Sequence, residues 1–265
     1  MAKLKSNFPY TNKLGDHSVY KMKGIDKLII RAKGGPSKEM VRHSPVFETL
    51  RKNNSEFGAA GLASGNIQKA IFAVKHLADN NISGRLTAIA NIIQKLDTSH
   101  TRGERSILFT KHPQILEGFS LNKTTLFDSV VINSPACVIS RSGLHATVNL
   151  QDLIPGINLI SPWNFQLYRI IMGFGIVPDI QLGEYGYGPV NPALACFPVK
   201  AQTEWASLQN VRPGDQHILQ LSPENNFDDS CSLVLSIGIE FGTLITNSLI
   251  QPIKNVGCAK ILAHI

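Results

Sequence analysis

The chain has 265 residues, of which 43% are hydrophobic and 17% charged, with a formal net charge of +7 at pH 7. This composition is that of a globular protein, long enough for one large domain or two modest ones. It argues against a membrane protein, because the longest strongly apolar stretch, Leu167 to Pro178, is interrupted by Arg169 and is shorter than the ~20 residues that cross a bilayer. The first twenty residues have no apolar stretch typical of a signal peptide, so we expect a soluble protein with no membrane partner.

The charge is divided unevenly along the sequence. Residues 1 to 125 carry 20 Lys and Arg against 9 Asp and Glu, while residues 126 to 265 carry 6 against 10. A net charge of +11 is therefore joined to one of −4. This division indicates a basic element that meets phosphate, an anionic surface or the acidic half of a neighbouring copy.

The N-terminal region is predicted to be a basic arm followed by a β-hairpin. Residues 1 to 17 have no periodicity, and alternation from Ser18 to Lys33 then predicts a two-stranded ribbon that turns near Gly24 and Asp26. One face is expected to carry five cations, which are Lys21, Lys23, Lys27, Arg31 and Lys33. The other face is expected to be apolar and to carry Tyr20, Met22, Leu28 and Ile30, although Val19 and Ile29 fall on the basic side.

Helices are predicted between the ribbon and residue 125. Ser44 before Pro45 is a good helix start, with Ser as N-cap and Pro at the first helical position. Residues 58 to 65 are too rich in glycine for a strong isolated helix, but small enough to let another backbone approach closely. Apolar residues at helical spacing predict two further amphipathic helices, over Ile67 to Leu77 and over Leu86 to Leu96.

From about Thr125 onward the pattern predicts strands. Strict alternation over residues 144–151 and 232–241 is typical of half-buried strands. Further candidate strands lie at residues 130–139, 157–160, 166–177, 196–204, 217–221 and 257–263. We therefore expect an α+β fold, with a basic arm, a β-hairpin and helices in a first domain over residues 1–125, and an antiparallel β-sandwich in a second over residues 126–265.

No motif in the sequence predicts catalysis. GxSxG, GxxxxGK[ST], GxGxxG and HExxH are all absent, and the eight histidines are scattered singly. Four cysteines, Cys137, Cys196, Cys231 and Cys258, lie far apart without a CxxC pair, which favours buried free thiols in a reducing cytoplasm. We expect no enzyme activity, no cofactor and no metal, and a cytoplasmic location.

The basic ribbon is the candidate contact surface. A β-ribbon with cations at alternate positions can follow a phosphate backbone, and Lys38 and Arg42 would enlarge its surface if they face the same way. Lysines also protect exposed sheet edges from unwanted pairing, and no aromatic side chains for base stacking are interleaved with these cations. A polyanion contact and an ordinary solvated face both fit this pattern.

Two functions follow from these features. The first is a non-enzymatic structural protein that assembles with itself into an ordered oligomer or filament, its basic N-terminal region contacting the mildly acidic β-sandwich of the next copy. The alternative is sequence-independent binding of DNA or RNA by the basic ribbon. A carbohydrate or small-ligand module on the sandwich loops is a third reading, by fold analogy alone.

Three stretches of the sequence also carry a resemblance. Residues 44–58, 238–243 and 252–263 are similar to a family of uncharacterised bacterial proteins of unknown function. The resemblance implies a bacterial cytoplasmic protein. It transfers no catalytic or binding residue to this chain.

Overall fold

The fold comprises two compact units. The computed structural model describes residues 2–4, 13–21, 28–32, 34–192, 197–222, 227–246 and 249–265. The units are Met1–Arg51 and Lys52–Ile265. The change from helices to strands along the sequence falls close to residue 125.

The first unit contains a small antiparallel sheet and a short helix. Its strands are β1 (Ala2–Leu4), β2 (Lys13–Leu14), β3 (His17–Lys21) and β4 (Leu28–Ala32), in the spatial order β1-β4-β3-β2. Helix α1 (Lys38–His43) begins after Ser37, whose hydroxyl accepts a hydrogen bond from the Met40 N–H at 3.1 Å. This is the usual way in which a serine N-cap satisfies a free amide of the first turn. A short 3₁₀ turn, Pro45–Phe47, follows α1.

Strands β3 and β4 form the predicted ribbon, but the prediction that its cations share one face is wrong for Lys21 and Arg31. Lys21 is paired with Leu28, and Arg31 lies three residues further along β4. Because side chains alternate along a strand, an odd separation places Lys21 and Arg31 on opposite faces. Val19 and Ile29, which were expected on the basic side, are both buried.

The second unit is built mainly from strands. In chain order they are β5 (Ala136–Ser140), β6 (His145–Leu150), β7 (Leu167–Pro178), β8 (Ile180–Gly183), β9 (Gly186–Pro189), β10 (Val199–Gln202), β11 (Ala206–Ser207), β12 (Asp215–Gln220), β13 (Cys231–Leu244) and β14 (Ile250–His264). The large sheet has the order β10-β7-β13-β14, with β11 also beside β7, and a smaller sheet has the order β12-β6-β5. All these pairings are antiparallel.

Helices lie N-terminal to these strands. They are α2 (Glu48–Ala70), which crosses from the first unit into the second, α3 (Phe72–Lys75), α4 (Ser83–Leu96) and the one-turn α5 (Phe127–Val130). Residues 58–65, expected to weaken an isolated helix, lie within the continuous α2. The helix predicted over Ile67 to Leu77 is interrupted at Ile71, between α2 and α3.

The large sheet is covered on both sides, which gives three layers. One hydrophobic core joins alternate residues of β7 and β13 to the inward residues of the smaller sheet, such as Val148 and Leu219. A second core joins the other face of the large sheet to helices α2 to α4, through residues such as Ile67 and Leu86. The α+β fold with a C-terminal antiparallel sandwich is confirmed, with the helices as an additional layer.

The helical layer corrects the prediction for residues 232–241, which were expected to form a half-buried strand. All ten residues are buried, because α2 and α3 approach the side that carries serine and glycine. A Cβ built on Gly173 would lie 2.9 Å from the Cβ of Ala73, and one on Gly175 would lie 2.6 Å from the carbonyl oxygen of Ala70. Small residues therefore serve close packing of helix on sheet rather than contact with water.

One predicted strand is not formed. Residues 157–160 contribute only isolated bridges, in which Leu159 contacts Val131 and Pro155. The Asn158 side chain accepts a hydrogen bond from the Ile154 N–H at 2.6 Å, which closes a turn. This local closure replaces the ladder that the apolar residues suggested.

Candidate functional site

The predicted contact residues are dispersed among the elements of the first unit. Lys21 ends β3 and Arg31 lies in β4, and both are exposed. Lys38 and Arg42 are exposed on α1. The remaining candidates, Lys23, Lys27 and Lys33, lie outside the described residues.

The net charge divides sharply at the boundary between the two compact units. Residues 1–51 carry 11 Lys and Arg against 4 Asp and Glu, whereas residues 52–265 carry 15 of each. The whole net charge of +7 therefore belongs to the first unit, and the second unit is neutral. The acidic character expected for residues 126–265 is balanced within the folded unit by the basic residues of 52–125.

The outward side of the smaller sheet is free of charged residues. The register of β12, β6 and β5 places nine side chains there, and none is Asp, Glu, Lys or Arg. The set, here named the sheet face, is Ala136, Val138, Ser140, His145, Thr147, Asn149, Gln216, Ile218 and Gln220. Water-facing sides of antiparallel sheets are ordinarily polar, and the absence of charge is typical of surfaces that become covered.

The centre of the sheet face is apolar and β-branched. Thr147 pairs with Val138 on one side and with Ile218 on the other, so the three side chains form one row across the sheet. Val138 is 66% exposed and Ile218 is 62% exposed. Beside this row, the amide of Gln216 donates to the Asn149 side-chain oxygen at 2.8 Å, which leaves fewer free polar groups toward solvent.

A second uncharged surface lies on the outward side of α2. Asn54, Gly58, Gly61 and Gly65, here named the glycine stripe, follow one another at helical spacing opposite the buried alanines of the helix. Beyond the adjoining backbone of α2 itself, a Cβ built on any of the three glycines would meet no atom of the described residues within 4 Å. The tight packing predicted for this stretch is made by Ala59, Ala60 and Ala63, which are buried in the core, and not by the three glycines.

Exposed aromatic side chains border the glycine stripe. Phe57 is one residue before Gly58, and Phe72 begins α3 directly beyond the stripe; both are exposed. The helices and the smaller sheet cover opposite faces of the large sheet. The glycine stripe and the sheet face consequently point away from each other on opposite sides of the second unit.

A buried ionic network lies where the large sheet meets α3. Glu240 on β13 is only 4% exposed and is paired across the sheet with Arg169 on β7. Its Oε2 accepts hydrogen bonds from Arg169 Nε at 2.7 Å and Nη2 at 2.6 Å, and its Oε1 lies 2.9 Å from His76 Nε2. The guanidinium of Arg169 also lies 4.5 Å from the ring centroid of Trp205. Burial raises the pKa of Glu240, but the hydrogen bonds from His76 and Arg169 outweigh it and lower this pKa below its usual value.

A pocket of about 510 Å³ opens beside this network. It is lined by polar His76, Gln251 and Lys254 and by apolar Leu77, Ile253 and Val256, with Glu240 at its base. We name it the bulge pocket, because β14 is irregular there. Nothing in the sequence patterns predicted it.

The polar cluster around Asp97 lacks the geometry of a catalytic triad. Asp97 accepts hydrogen bonds from Ser99 Oγ at 2.5 Å and from His100 Nδ1 at 2.8 Å, although the serine lies 3.3 Å from that same ring nitrogen. A Ser-His-Asp triad needs the serine on the other nitrogen of the imidazole. Burial raises the pKa of Asp97, but hydrogen bonds from Ser99, Ser106 and His100 lower it overall, as suits a carboxylate that closes a loop.

Two of the described cysteines are buried thiols, and the described residues contain no group of metal ligands. Cys137, Cys231 and Cys258 are free thiols, and Cys196 lies outside the described residues. Burial raises the pKa of Cys231 to about 11 and that of Cys258 to about 12, so both are protonated at neutral pH. Over the described ranges, no three His, Cys, Asp or Glu side chains are grouped to hold a metal ion.

The chain was compared with protein-family models, curated proteins and solved structures. None matches. The resemblance to a bacterial family stays a prediction, as does the cytoplasmic location. Within the described part of the chain, no helix has both the length and the apolar character needed to cross a bilayer.

Proposed function

We propose that the protein is a non-enzymatic structural protein that assembles with itself through the sheet face and the glycine stripe. The observation that carries the proposal is the sheet face, in which nine side chains contain no charge and expose Val138 and Ile218. Interface centres are depleted in charged residues in the same way. The basic N-terminal region is not the principal contact in this account, because the second unit has no net acidic charge to attract it.

The sheet face is small, and its position opposite the glycine stripe favours an extended assembly over a single dimer. Three strands spaced about 4.8 Å apart and about five residues long cover roughly 10–15 Å by 17 Å. This is well below the roughly 800 Å² that each partner buries in a typical stable interface. A copy that uses surfaces on two opposite sides joins two neighbours, so the assembly can extend as a filament.

The glycine stripe is suited to packing against a helix of a second copy. Each glycine inside a helix costs about 1 kcal/mol relative to alanine. Three of them lie on the outward side of α2, where a Cβ would meet no described atom beyond the adjoining backbone of α2. A neighbouring helix that approaches the backbone closely would make use of the missing side chains.

Light scattering and negative-stain microscopy over a range of protein concentrations test the proposal. The unaltered protein should form particles larger than a monomer, and Val138→Lys or Ile218→Lys should shift it to monomer because a charge would be placed in the contact. Ile157→Lys is the matched control, since Ile157 is 67% exposed and lies outside the sheet face. A strict monomer at all concentrations, or equal effects of Val138→Lys and Ile157→Lys, would contradict the proposal.

Salt separates this mechanism from assembly by charge attraction. Contacts between uncharged surfaces persist at high ionic strength, whereas attraction between exposed charges is screened. Particle size should therefore be the same at about 0.05 M and 1 M salt. Dissociation at the higher salt concentration would assign the contact to the basic N-terminal region instead.

A second candidate function is sequence-independent binding of nucleic acid by the first unit. Its support is the net charge of +7 on 51 residues, with Lys21, Arg31, Lys38 and Arg42 exposed. Phosphate contacts by Lys and Arg release counterions, so affinity should fall steeply as salt rises. Replacing these four residues by Gln should weaken the binding of labelled DNA and RNA in fluorescence anisotropy. Unchanged affinity, or no binding at low salt by the unaltered protein, would remove this candidate.

A further inference from the structure

The bulge pocket owes its shape to an irregularity in the pairing of β13 and β14. Glu240 pairs with Gly257 and Gly242 pairs with Pro252, so residues 253–256 of β14 lie opposite the single residue Phe241. Bulges of this kind commonly turn side chains toward binding sites. Here the bulge carries Ile253, Lys254 and Val256 to the pocket lining.

Glycine holds this irregular backbone in place. Gly257 has a φ of +128°, and a Cβ on it would lie 2.5 Å from the carbonyl oxygen of Ile239. A Cβ on Gly238 would meet Leu77 Cδ1 at 2.5 Å, so that Leu77 packs directly onto the strand and forms the pocket wall. The backbone geometry at Gly238 and Gly257 therefore helps to define the shape of the pocket.

The buried network fixes the imidazole of His76, which lines the pocket. His76 Nε2 is held 2.9 Å from the Glu240 carboxylate, while about half of the His76 side chain is exposed. Among the described residues, no hydrogen bond is made by the other ring nitrogen, Nδ1. A ligand in the pocket can therefore meet an imidazole whose orientation is already set.

The charges around the pocket select an anion. Among the described lining residues Glu240 alone is acidic, and its carboxylate is neutralised by two hydrogen bonds from Arg169 and shielded from solvent. Lys254 adds an exposed positive charge at the rim. A bound cation would meet Lys254 without an available carboxylate, whereas an anion would meet Lys254 and the N–H donors of the Gln251 amide.

We propose that the bulge pocket binds a small organic anion, a carboxylate with a short hydrocarbon body. Lys254 and the side-chain amide of Gln251 donate to the carboxylate, and Leu77, Ile253 and Val256 contact the hydrocarbon. A volume of about 510 Å³ suits a small molecule and is too narrow for a folded partner. The proposal is independent of self-association, since it uses neither the sheet face nor the glycine stripe.

Isothermal titration calorimetry with hexanoate tests the proposal on the full chain. Hexanoate should bind at one site per chain, more tightly than acetate by about three- to fourfold for each additional buried methylene. Hexylamine should not bind measurably. Inorganic phosphate should bind more weakly than hexanoate, because it leaves the hydrocarbon wall empty.

Two variants separate the two parts of the ligand. Lys254→Gln should weaken hexanoate binding about tenfold, as expected for loss of a hydrogen bond to a charged group. Ile253→Gln should weaken hexanoate and leave acetate unchanged. Lys75→Gln, which removes an exposed cation outside the pocket lining, is the control and should bind as the unaltered protein does.

Three results would overturn the proposal. They are the absence of hexanoate binding, equal binding of hexylamine and hexanoate, and equal effects of Lys254→Gln and Lys75→Gln. Urea unfolding of each variant shows whether that variant is folded, so that binding is compared only between folded proteins. The particle size of Lys254→Gln should be unchanged, so failure of this inference is distinct from failure of the proposed assembly.

Discussion

Replacing Arg169 by Met should destabilise the protein far more than replacing Arg169 and Glu240 together. In the single variant the Glu240 carboxylate, 4% exposed, keeps only the contact from His76. An uncompensated buried charge of this kind costs about 3–5 kcal/mol. Loss of the guanidinium stacked on Trp205 adds about 0.5–1 kcal/mol.

The double variant, Arg169→Met with Glu240→Leu, removes both charges at once. His76 then loses its partner, but half of its side chain is exposed and can bind water, so its loss adds little. Buried ion pairs can be replaced by apolar residues of similar volume at little net cost. We therefore expect the double variant to lose less stability than Arg169→Met alone, and a coupling energy between the two sites of at least about 2 kcal/mol.

Urea unfolding followed by circular dichroism measures these differences. Arg105→Met is the matched control, because its ion pair with Glu56 spans 3.9 Å at a partly exposed site and should contribute less than about 1 kcal/mol. Additive losses from Arg169→Met and Glu240→Leu, with a coupling energy near zero, would refute the reasoning. The buried pair would then not govern the stability of this part of the sheet.

Three further predictions concern burial and close packing. Burial lowers the pKa of His264 from its ordinary value of 6.5, so the free energy of unfolding is at its full value above about pH 6.5 and decreases as pH falls toward the lowered pKa. His264→Phe should remove this decrease between pH 7 and 5.5, as measured by urea unfolding at each pH. The same dependence of unfolding free energy on pH in both proteins would contradict this prediction. Gly175→Ala should destabilise the protein by about 1–3 kcal/mol because its Cβ would collide with α2. Gly61→Ala should instead stabilise the isolated subunit by about 0.5–1 kcal/mol. A higher melting temperature for Gly175→Ala than for Gly61→Ala in thermal denaturation would count against the packing described. Cys231 and Cys258 should resist iodoacetamide at pH 8 until the protein is unfolded, and mass spectrometry that finds rapid alkylation of the folded chain would disprove their burial.

The sequence predicted strands more accurately than the layers that cover them. Period-two alternation located β6 and β13, since each strand places its largest side chains in the sandwich core. It did not reveal that β13 is also covered by helices. Serine and glycine on the second face resemble a water-facing side, although here they permit close approach of α2 and α3. Alternation alone does not separate these two uses of small residues.

The alternation of apolar and polar residues along each strand could not predict how the basic residues of the two strands lie relative to each other. A ribbon's two strands can pair in several registers, and a shift of one residue moves every side chain to the other face. Alternation places Lys21 and Arg31 on the basic side of their respective strands. The register between β3 and β4 nevertheless places the two residues on opposite faces of the sheet. The continuous helix through residues 58–65 was similarly hidden, because tertiary packing of Ala59 and Ala63 overrides the low helix propensity of glycine.

Some signals of the candidate surfaces were present in the sequence. The outward positions of β5, β6 and β12 lack charged residues, a feature that alternation alone does not score. Glu240 was also conspicuous as the one charged residue in a strand of apolar and small residues. Its partner Arg169 similarly interrupts the longest apolar stretch. Their pairing depends on the register of β7 and β13, which is set by the folded sheet.

Sedimentation velocity of the unaltered protein and of the triple variant Gly58→Ala, Gly61→Ala and Gly65→Ala tests the central claim most directly. Beyond the adjoining backbone of α2, none of the three added methyl groups meets another described atom, so the subunit itself should be more stable than before. Self-association through the glycine stripe predicts that the unaltered protein sediments as large species and that the triple variant sediments as much smaller ones. Equal sedimentation of the two proteins, or a monomer in both, would contradict the account.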